Sequence, residues 1–277
     1  MKSISILIFL FAVFQSFASQ YKARNFSNND TPIKYWDINQ SKDTLEKNKI
    51  PAPTDEIVDE FYQAIFDNNS EKVSQMLRTN FPANYEPKNK IHPLQALIWT
   101  SDNLDLMKLF VNGGANITNK DNPLILIAVE YGRLEILKYL VENGSDIKDN
   151  ESFNKAGFYQ FYEGAKFLLL NGANQEIGDI RGKLWFFEQA VIKSDYEALN
   201  TLNLTIDEIN NNNCQGETAL IIAIKKNDIE MVKYLLNRNA DKKKAETFDC
   251  GDEIYLGKTP LQIAKKNNFK QIVQLLE

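Results

Sequence analysis

Between Thr218 and Leu236 the sequence TALIIAIKKNDIEMVKYLL sets Leu220, Ala223 and Ile224 on one helical stripe. Ile229, Val232, Leu235 and Leu236 fall on a second stripe, and Asn227-Asp228 interrupts the apolar period between them. The pattern predicts two short amphipathic helices folded into an antiparallel pair. Neither helix can bury its apolar face alone, so the pair requires neighbouring copies of itself.

Further copies are present. HPLQALIWTSDNLDLMKLFVNGGANI begins at His92 and NPLILIAVEYGRLEILKYLVENGSDI at Asn122. Pro93 and Pro123, Leu104 and Leu134, and Asn116 and Asp146 are each 30 residues apart. TPLQIAKKNNFKQIVQLLE, Thr259 to Glu277, matches the opening stretch without a gap. Three copies are weaker. EFYQAIFDNNSEKVSQML, Glu60 to Leu77, fits a first, capping copy. EGAKFLLLNGANQEI, Glu163 to Ile177, keeps a second helix, but the region before it, FNKAGFYQFY, lacks the T-P-L start. LWFFEQAVIKSDYEALNTL, Leu184 to Leu202, keeps helix spacing, and its Asp195 lies 33 residues before Asp228.

This pattern resembles the ankyrin repeat: a T-P-L-H-x-A start, a Gly-containing turn, a second helix of L-E-I-V type, then G-A-D/N before a hairpin loop. The resemblance covers about Thr54 to Glu277. It implies an all-α ankyrin-repeat solenoid of about seven helix-turn-helix repeats with protruding hairpin loops. The repeats fall at approximately 54–90, 91–120, 121–150, 151–180, 181–213, 214–254 and 255–277. Lys265, Lys266, Lys270, Gln271 and Gln274 let the outward face of the last copy meet water. Because stability in such an array sums local terms, the degraded fourth and fifth repeats are expected to be its weakest joint, unless their aromatics compensate.

The N-terminus differs. Met1-Lys2, an apolar run from Ile4 to Phe14 and the small residues of Ser16-Phe17-Ala18 predict a signal peptide at 1–18, cleaved after Ala18. The run is shorter than the ~20 residues needed to span a bilayer, so no membrane span is expected after cleavage. Residues 19–53 read as a polar, flexible segment. Export follows as the expected localisation, to the periplasm first and the extracellular space second.

Of the 277 residues 43% are hydrophobic and 25% charged, which fits a globular chain. The net charge of −5 argues against general affinity for nucleic acid or anionic membranes. GDEIYLGKT, Gly251 to Thr259, approaches a phosphate-binding loop but has one residue too many between its glycines and carries Asp252 and Glu253 where amides should face phosphate. Its GKTP end is accounted for as the start of the last repeat. His92, the single histidine, stands where ankyrin repeats place a turn-forming Thr. One His and two Cys make no zinc site. The sequence therefore predicts no catalytic residue, no metal and no cofactor.

Two cysteines in an exported protein suggest a disulfide. Cys214 and Cys250 lie in loops that lead into successive repeats, and successive ankyrin loops stack side by side. Thr218 and Thr259 are 41 residues apart, so the loop KKKAETFDCGDEIYL is lengthened. Ankyrin proteins bind partners through such loops and the first helices, along a concave face. The resemblance therefore makes Phe248, Asp249, Asp252, Glu253 and Tyr255 candidate contacts. A second candidate set is aromatic: Trp99, Tyr131, Tyr159 and Trp185, among eight aromatics near first helices that also include Phe158, Phe161, Tyr162 and Phe186. About two-thirds of the eight are expected to be core, with Phe158, Phe161 and Tyr162 at i, i+3, i+4.

The implied function is a non-catalytic protein-protein interaction scaffold, expected to be a monomer. Exported ankyrin proteins of this size resemble small bacterial ones that sequester a toxic secreted enzyme such as a lipase or phospholipase. The alternatives are a secreted effector that binds host proteins and an enzyme accessory factor in stress defence.

Overall fold

The computed structural model describes residues 52–79, 81–86, 90–118, 123–249 and 254–277; the expected signal peptide and nearly all of the polar segment lie outside the described residues. Seven helix pairs follow one another. They are α1 (Asp55–Phe66) with α2 (Ser70–Thr79), α3 (Pro93–Thr100) with α4 (Leu104–Asn112), α5 (Leu124–Glu130) with α6 (Leu134–Glu142), and α7 (Ser152–Phe158) with α8 (Tyr162–Leu170). They continue with α9 (Ile180–Lys193) and α10 (Tyr196–Thr201), then the single turn α11 (Ile206–Ile209), then α12 (Ala219–Lys225) with α13 (Ile229–Asn237). A hairpin of β1 (Thr247–Asp249) and β2 (Ile254–Leu256) precedes α14 (Pro260–Lys266) and α15 (Lys270–Leu276). No helix among the described residues is long and apolar enough to cross a membrane.

Local chemistry sets the helix boundaries. Thr218, Asp228 and Asp195 each accept a hydrogen bond from the backbone N–H three residues on, and Thr259 forms a full capping box with Gln262. In six of the seven pairs the turn between helices passes through a left-handed residue: Asn68, Gly132, Gln160, Ser194, Asn227 and Asn268.

The second pair lacks that residue. Ser101 is extended at φ −154°, and the exposed carbonyls at the end of α3 are capped from the next repeat: Arg133 donates to the oxygens of Ile98 at 2.8 Å and Trp99 at 2.6 Å. Asp102 reciprocates by accepting from the N–H groups of Glu135 and Ile136, at 3.1 and 3.0 Å, at the start of α6. At this boundary each of the two repeats thus caps a helix of the other.

The core runs through all seven pairs as one apolar cluster. In α12 burial is nearly complete, with every residue from Ala219 to Ile224 inside, because neighbours pack on both sides. The fourth and fifth pairs, expected to be the weakest joint unless their aromatics compensate, pack closely and do so partly through aromatics. A Cβ at Gly157 would sit 2.1 Å from the Gly182 oxygen, and one at Gly182 would sit 1.8 Å from the Asn154 oxygen, so α7 and α9 meet backbone to backbone. Phe186 lies edge-on to Phe153 at 5.4 Å and is stacked on Tyr162 at 4.9 Å. Lys183, 1% exposed, reaches Glu176 at 3.0 Å and Glu208 at 3.1 Å.

The expected i, i+3, i+4 stripe is corrected here. α7 ends at Phe158, Gln160 turns the chain at φ 58°, and Tyr162 opens α8, so the three aromatics span a turn rather than share a helix. Of the eight aromatics only Tyr162 and Phe186 are buried, while Trp99, Tyr131, Phe158 and Tyr159 are exposed. The expected two-thirds majority in the core is not found.

Candidate protein-binding surface

The lengthened loop is a β-hairpin. Thr and aromatic residues favour extended backbone, and β1 pairs antiparallel with β2 so that Phe248 faces Tyr255, with Thr247 opposite Leu256 and Asp249 opposite Ile254. At its base Gly257 and Lys258 together oppose Glu246: the Gly257 N–H donates to the Glu246 oxygen at 2.8 Å, and the Glu246 N–H donates to the Lys258 oxygen at 3.1 Å. This is a one-residue bulge.

The hairpin is docked on the preceding loop. Thr247 N–H donates to the Gly216 oxygen at 2.8 Å. Gly216 has φ +79°, and a Cβ there would sit 2.5 Å from the Thr247 oxygen, so only glycine allows the approach. Lys225, from the end of α12, bonds Glu217 and reaches Glu246 at 2.6 Å. Burial pushes the Glu246 carboxyl up, but Lys225 and the Lys258 N–H outweigh burial and hold it below the usual carboxylate range. The matching shift raises the Lys225 amine against its own desolvation.

Phe248 and Tyr255 are exposed on this hairpin. Asp249 pairs through its backbone in β1, while Asp252, Glu253 and Cys250 lie outside the described residues. Cys214 is exposed. Sequence reasoning missed Ile254 and Leu256, which are 68% and 75% exposed and so the most exposed large apolar residues of the hairpin. Their period-2 alternation with Tyr255 was the available signal.

The aromatic candidates lie elsewhere. Trp99 stacks on Tyr131 with ring centres 5.9 Å apart, and Tyr159 follows on the next repeat, with Lys155 over its ring at 5.9 Å and paired with Glu130 at 3.3 Å. All three stand at or near the C-terminal ends of first helices. First helices begin at the loops and end at the inter-helix turns, so this row and the hairpin occupy opposite ends of the helix layer. Trp185, in the middle of α9, is half-buried against the core and does not join the row. Burial raises the Tyr131 hydroxyl above the usual tyrosine range, with Glu130 and Tyr159 adding to it.

His92 caps α3, its Nδ1 accepting from Leu94 N–H at 3.2 Å, and burial lowers it below the usual histidine range. The Nδ1 lone pair is thereby engaged by the backbone, which is the role of a cap. The GKTP end likewise forms the capped start of α14.

A family model described as "Ankyrin repeats (3 copies)" matches residues 61–151, 101–179 and 187–277. The chain is 26% identical over 215 residues to an L-asparaginase of Dirofilaria immitis, covering 73% of this chain and 35% of that protein. It is 30% identical over 148 residues to a putative ankyrin repeat protein of Fowlpox virus, covering 53% of this chain and 28% of the other. The chain thus spans about a third of the length of these curated relatives. The crystal structure of the human ASB11 ankyrin repeat domain superposes with a TM-score of 0.51 at 16% identity, covering 78% of this chain and 97% of that one. At that identity the likeness establishes the fold alone.

Proposed function

The chain belongs to the ankyrin-repeat family, and from that premise we propose that it acts by binding one partner protein, after export to the periplasm, as an inhibitor or immunity protein for a secreted hydrolase of the lipase or phospholipase kind. The repeats themselves mark a protein-protein interaction scaffold. The observation that carries the reading further is the docked hairpin. Its position is fixed by the Thr247 to Gly216 hydrogen bond and the Lys225 bridge, while its apolar residues are held out to solvent. Such preorganisation lowers the ordering cost of association. A disulfide between Cys214 and Cys250 would fix the same two loops covalently, at about 3–4 kcal/mol in the chain-entropy model.

The test uses the full chain expressed with its own N-terminus in a bacterial host. Mass spectrometry of the periplasmic product should begin at Ser19, and unreduced, denatured protein should show no reactive thiol. The 19–277 product should then capture one partner stoichiometrically and inhibit its hydrolysis, and deletion of Lys243 to Asp249 should abolish both. Cytoplasmic retention with two free thiols would overturn the exported reading; a captured enzyme whose activity is unchanged would overturn inhibition. The similarity to part of an L-asparaginase supports one second reading, an accessory that supports an enzyme, which stimulation instead of inhibition would favour.

A further inference from the structure

Backbone bonds tie successive loops together at more than one place in the array. Asn174 N–H donates to the Ile147 oxygen at 3.1 Å, joining the loop of the fourth repeat to that of the third. Thr247 N–H donates to the Gly216 oxygen at 2.8 Å, joining β1 to the loop before it. In both places a later loop pairs through its backbone with an earlier one.

Register decides which edge of the hairpin is left for a further strand. In an antiparallel pair, residues alternate between exchanging backbone bonds with the opposite strand and turning them away from it. Glu246 turns inward, since its N–H donates to the Lys258 oxygen and its own oxygen accepts from Gly257 N–H. Thr247 therefore turns outward, as its bond to Gly216 shows, and Phe248 with Tyr255 turns inward again. Leu256 lies opposite Thr247 and Ile254 opposite Asp249, so the N–H and C=O groups of Leu256 and Ile254 point away from β1. Neither backbone has a hydrogen-bond partner among the described residues, and both side chains are exposed. The outer edge of β1 is thus covered by the Gly216 loop, while that of β2 is open.

An open strand edge is a template, because extended backbone alone matches its donors and acceptors in spacing and direction. Natural sheets blunt such edges with charge or proline, and Ile-Tyr-Leu carries neither. Ile254 and Leu256 share one face of β2, with Tyr255 on the other. A strand laid beside them therefore covers them with apolar residues at every second position.

We infer that β2 accepts an extended segment of a partner protein, apolar at alternate positions, as a third strand of the hairpin, paired through the backbone of Ile254 and Leu256. This rests on the scaffold reading and names the form of the segment that the scaffold takes. A second copy is the poorer occupant: its β2 brings only another three-residue edge, far short of the ~800 Å² per side that stable interfaces bury. A partner held also by the repeats adds that area elsewhere.

The probe is the peptide Lys-Thr-Ile-Thr-Val-Thr-Ile-Lys, added to the full mature chain while amide hydrogen exchange is read residue by residue. In the free chain the Tyr255 amide should be protected and those of Ile254 and Leu256 should exchange freely. Peptide in large excess should slow Ile254 and Leu256 about tenfold or more, and the same peptide N-methylated at every residue should not. In anisotropy titrations with the labelled peptide, Leu256→Ala, which keeps the amide, should weaken binding about threefold. Leu256→Pro, whose missing N–H lies on the outward edge, should weaken it about tenfold. Circular dichroism identifies a variant that fails to fold, in which case Ile254→Pro takes its place, and the exchange measurement needs no variant.

Unchanged exchange at Ile254 and Leu256, or equal binding of the N-methylated peptide, would overturn the inference. So would a wild-type dimer that is lost in Leu256→Pro, which would make a second copy the occupant. Partner capture separates the two levels. If Leu256→Pro captures a native partner as well as the wild type does, the scaffold stands and strand addition falls; if the wild type captures none while the peptide protects both amides, the edge stands and the scaffold reading falls.

Discussion

The second and third repeats and the fourth and fifth reach the same architecture by different means. In the former, leucine, isoleucine and alanine fill the layers, and a reciprocal exchange between Arg133 and Asp102 caps helices across the boundary. In the latter, Gly157 occupies the place of Val129, each three residues before the left-handed turn residue, Gln160 or Gly132. Helix backbones touch there, and a buried lysine pairs with one largely buried and one solvated carboxylate. Loss of a repeat signature therefore marks a change in packing chemistry, not a loss of packing.

The largest test of that contrast is Gly182→Ala. The new Cβ meets backbone atoms of α7 that cannot rotate away, so destabilisation should reach or exceed the ~3 kcal/mol upper end of ordinary overpacking. Val129→Ala, at the matching layer of the third repeat, should cost about 2 kcal/mol through a cavity instead. Urea titrations of both variants read the difference.

Lys183→Met comes next. Complete burial of an unpaired charge costs about 3–5 kcal/mol; here Glu176 is largely solvated and Glu208 retains its capping box, so about 2 kcal/mol is expected. Burial pushes the Glu208 carboxyl up, but the Thr205 backbone and Lys183 outweigh it and lower it overall. Asp195, bonded by Lys166 and Tyr162, is likewise lowered despite burial. Folded-state values below the unfolded ones mean stability that is fully present above about pH 5 and lost as pH falls through the folded values. The gap between wild type and Lys183→Met should therefore narrow below about pH 4, a trend that midpoints measured from pH 7 to pH 3 would show.

Asp102→Ala should cost about 1 kcal/mol, the usual worth of a lost N-cap, although it removes no cap from its own helix. Smallest of all, Trp99→Ala should change stability by less than about 0.5 kcal/mol, as expected for an exposed side chain, while weakening partner binding.

The comparison also explains what was legible in the sequence. The stripes around Leu220 and Val232 and the T-P-L starts are set by helix period and capping, which are local, and both appear in the structure where expected. Phe158, Phe161 and Tyr162 were misread because Gln160 is not a usual left-handed residue, and helical spacing looks the same across a turn. Lys183 and the Arg133–Asp102 exchange were invisible because each depends on residues 25 to 35 positions away. At the candidate surface, Phe248 and Tyr255 were placed by loop length, whereas Ile254 and Leu256 needed the strand pairing that holds them out to solvent.

The central claim, that the array is continuous through its least regular part, is tested most directly by native-state hydrogen exchange of the full chain. Amides of α7 and α9 should exchange as slowly as those of α5 and α6, because all four share one core. Exchange in α7 and α9 faster by tenfold or more would show that the solenoid opens at this joint, and would contradict the account.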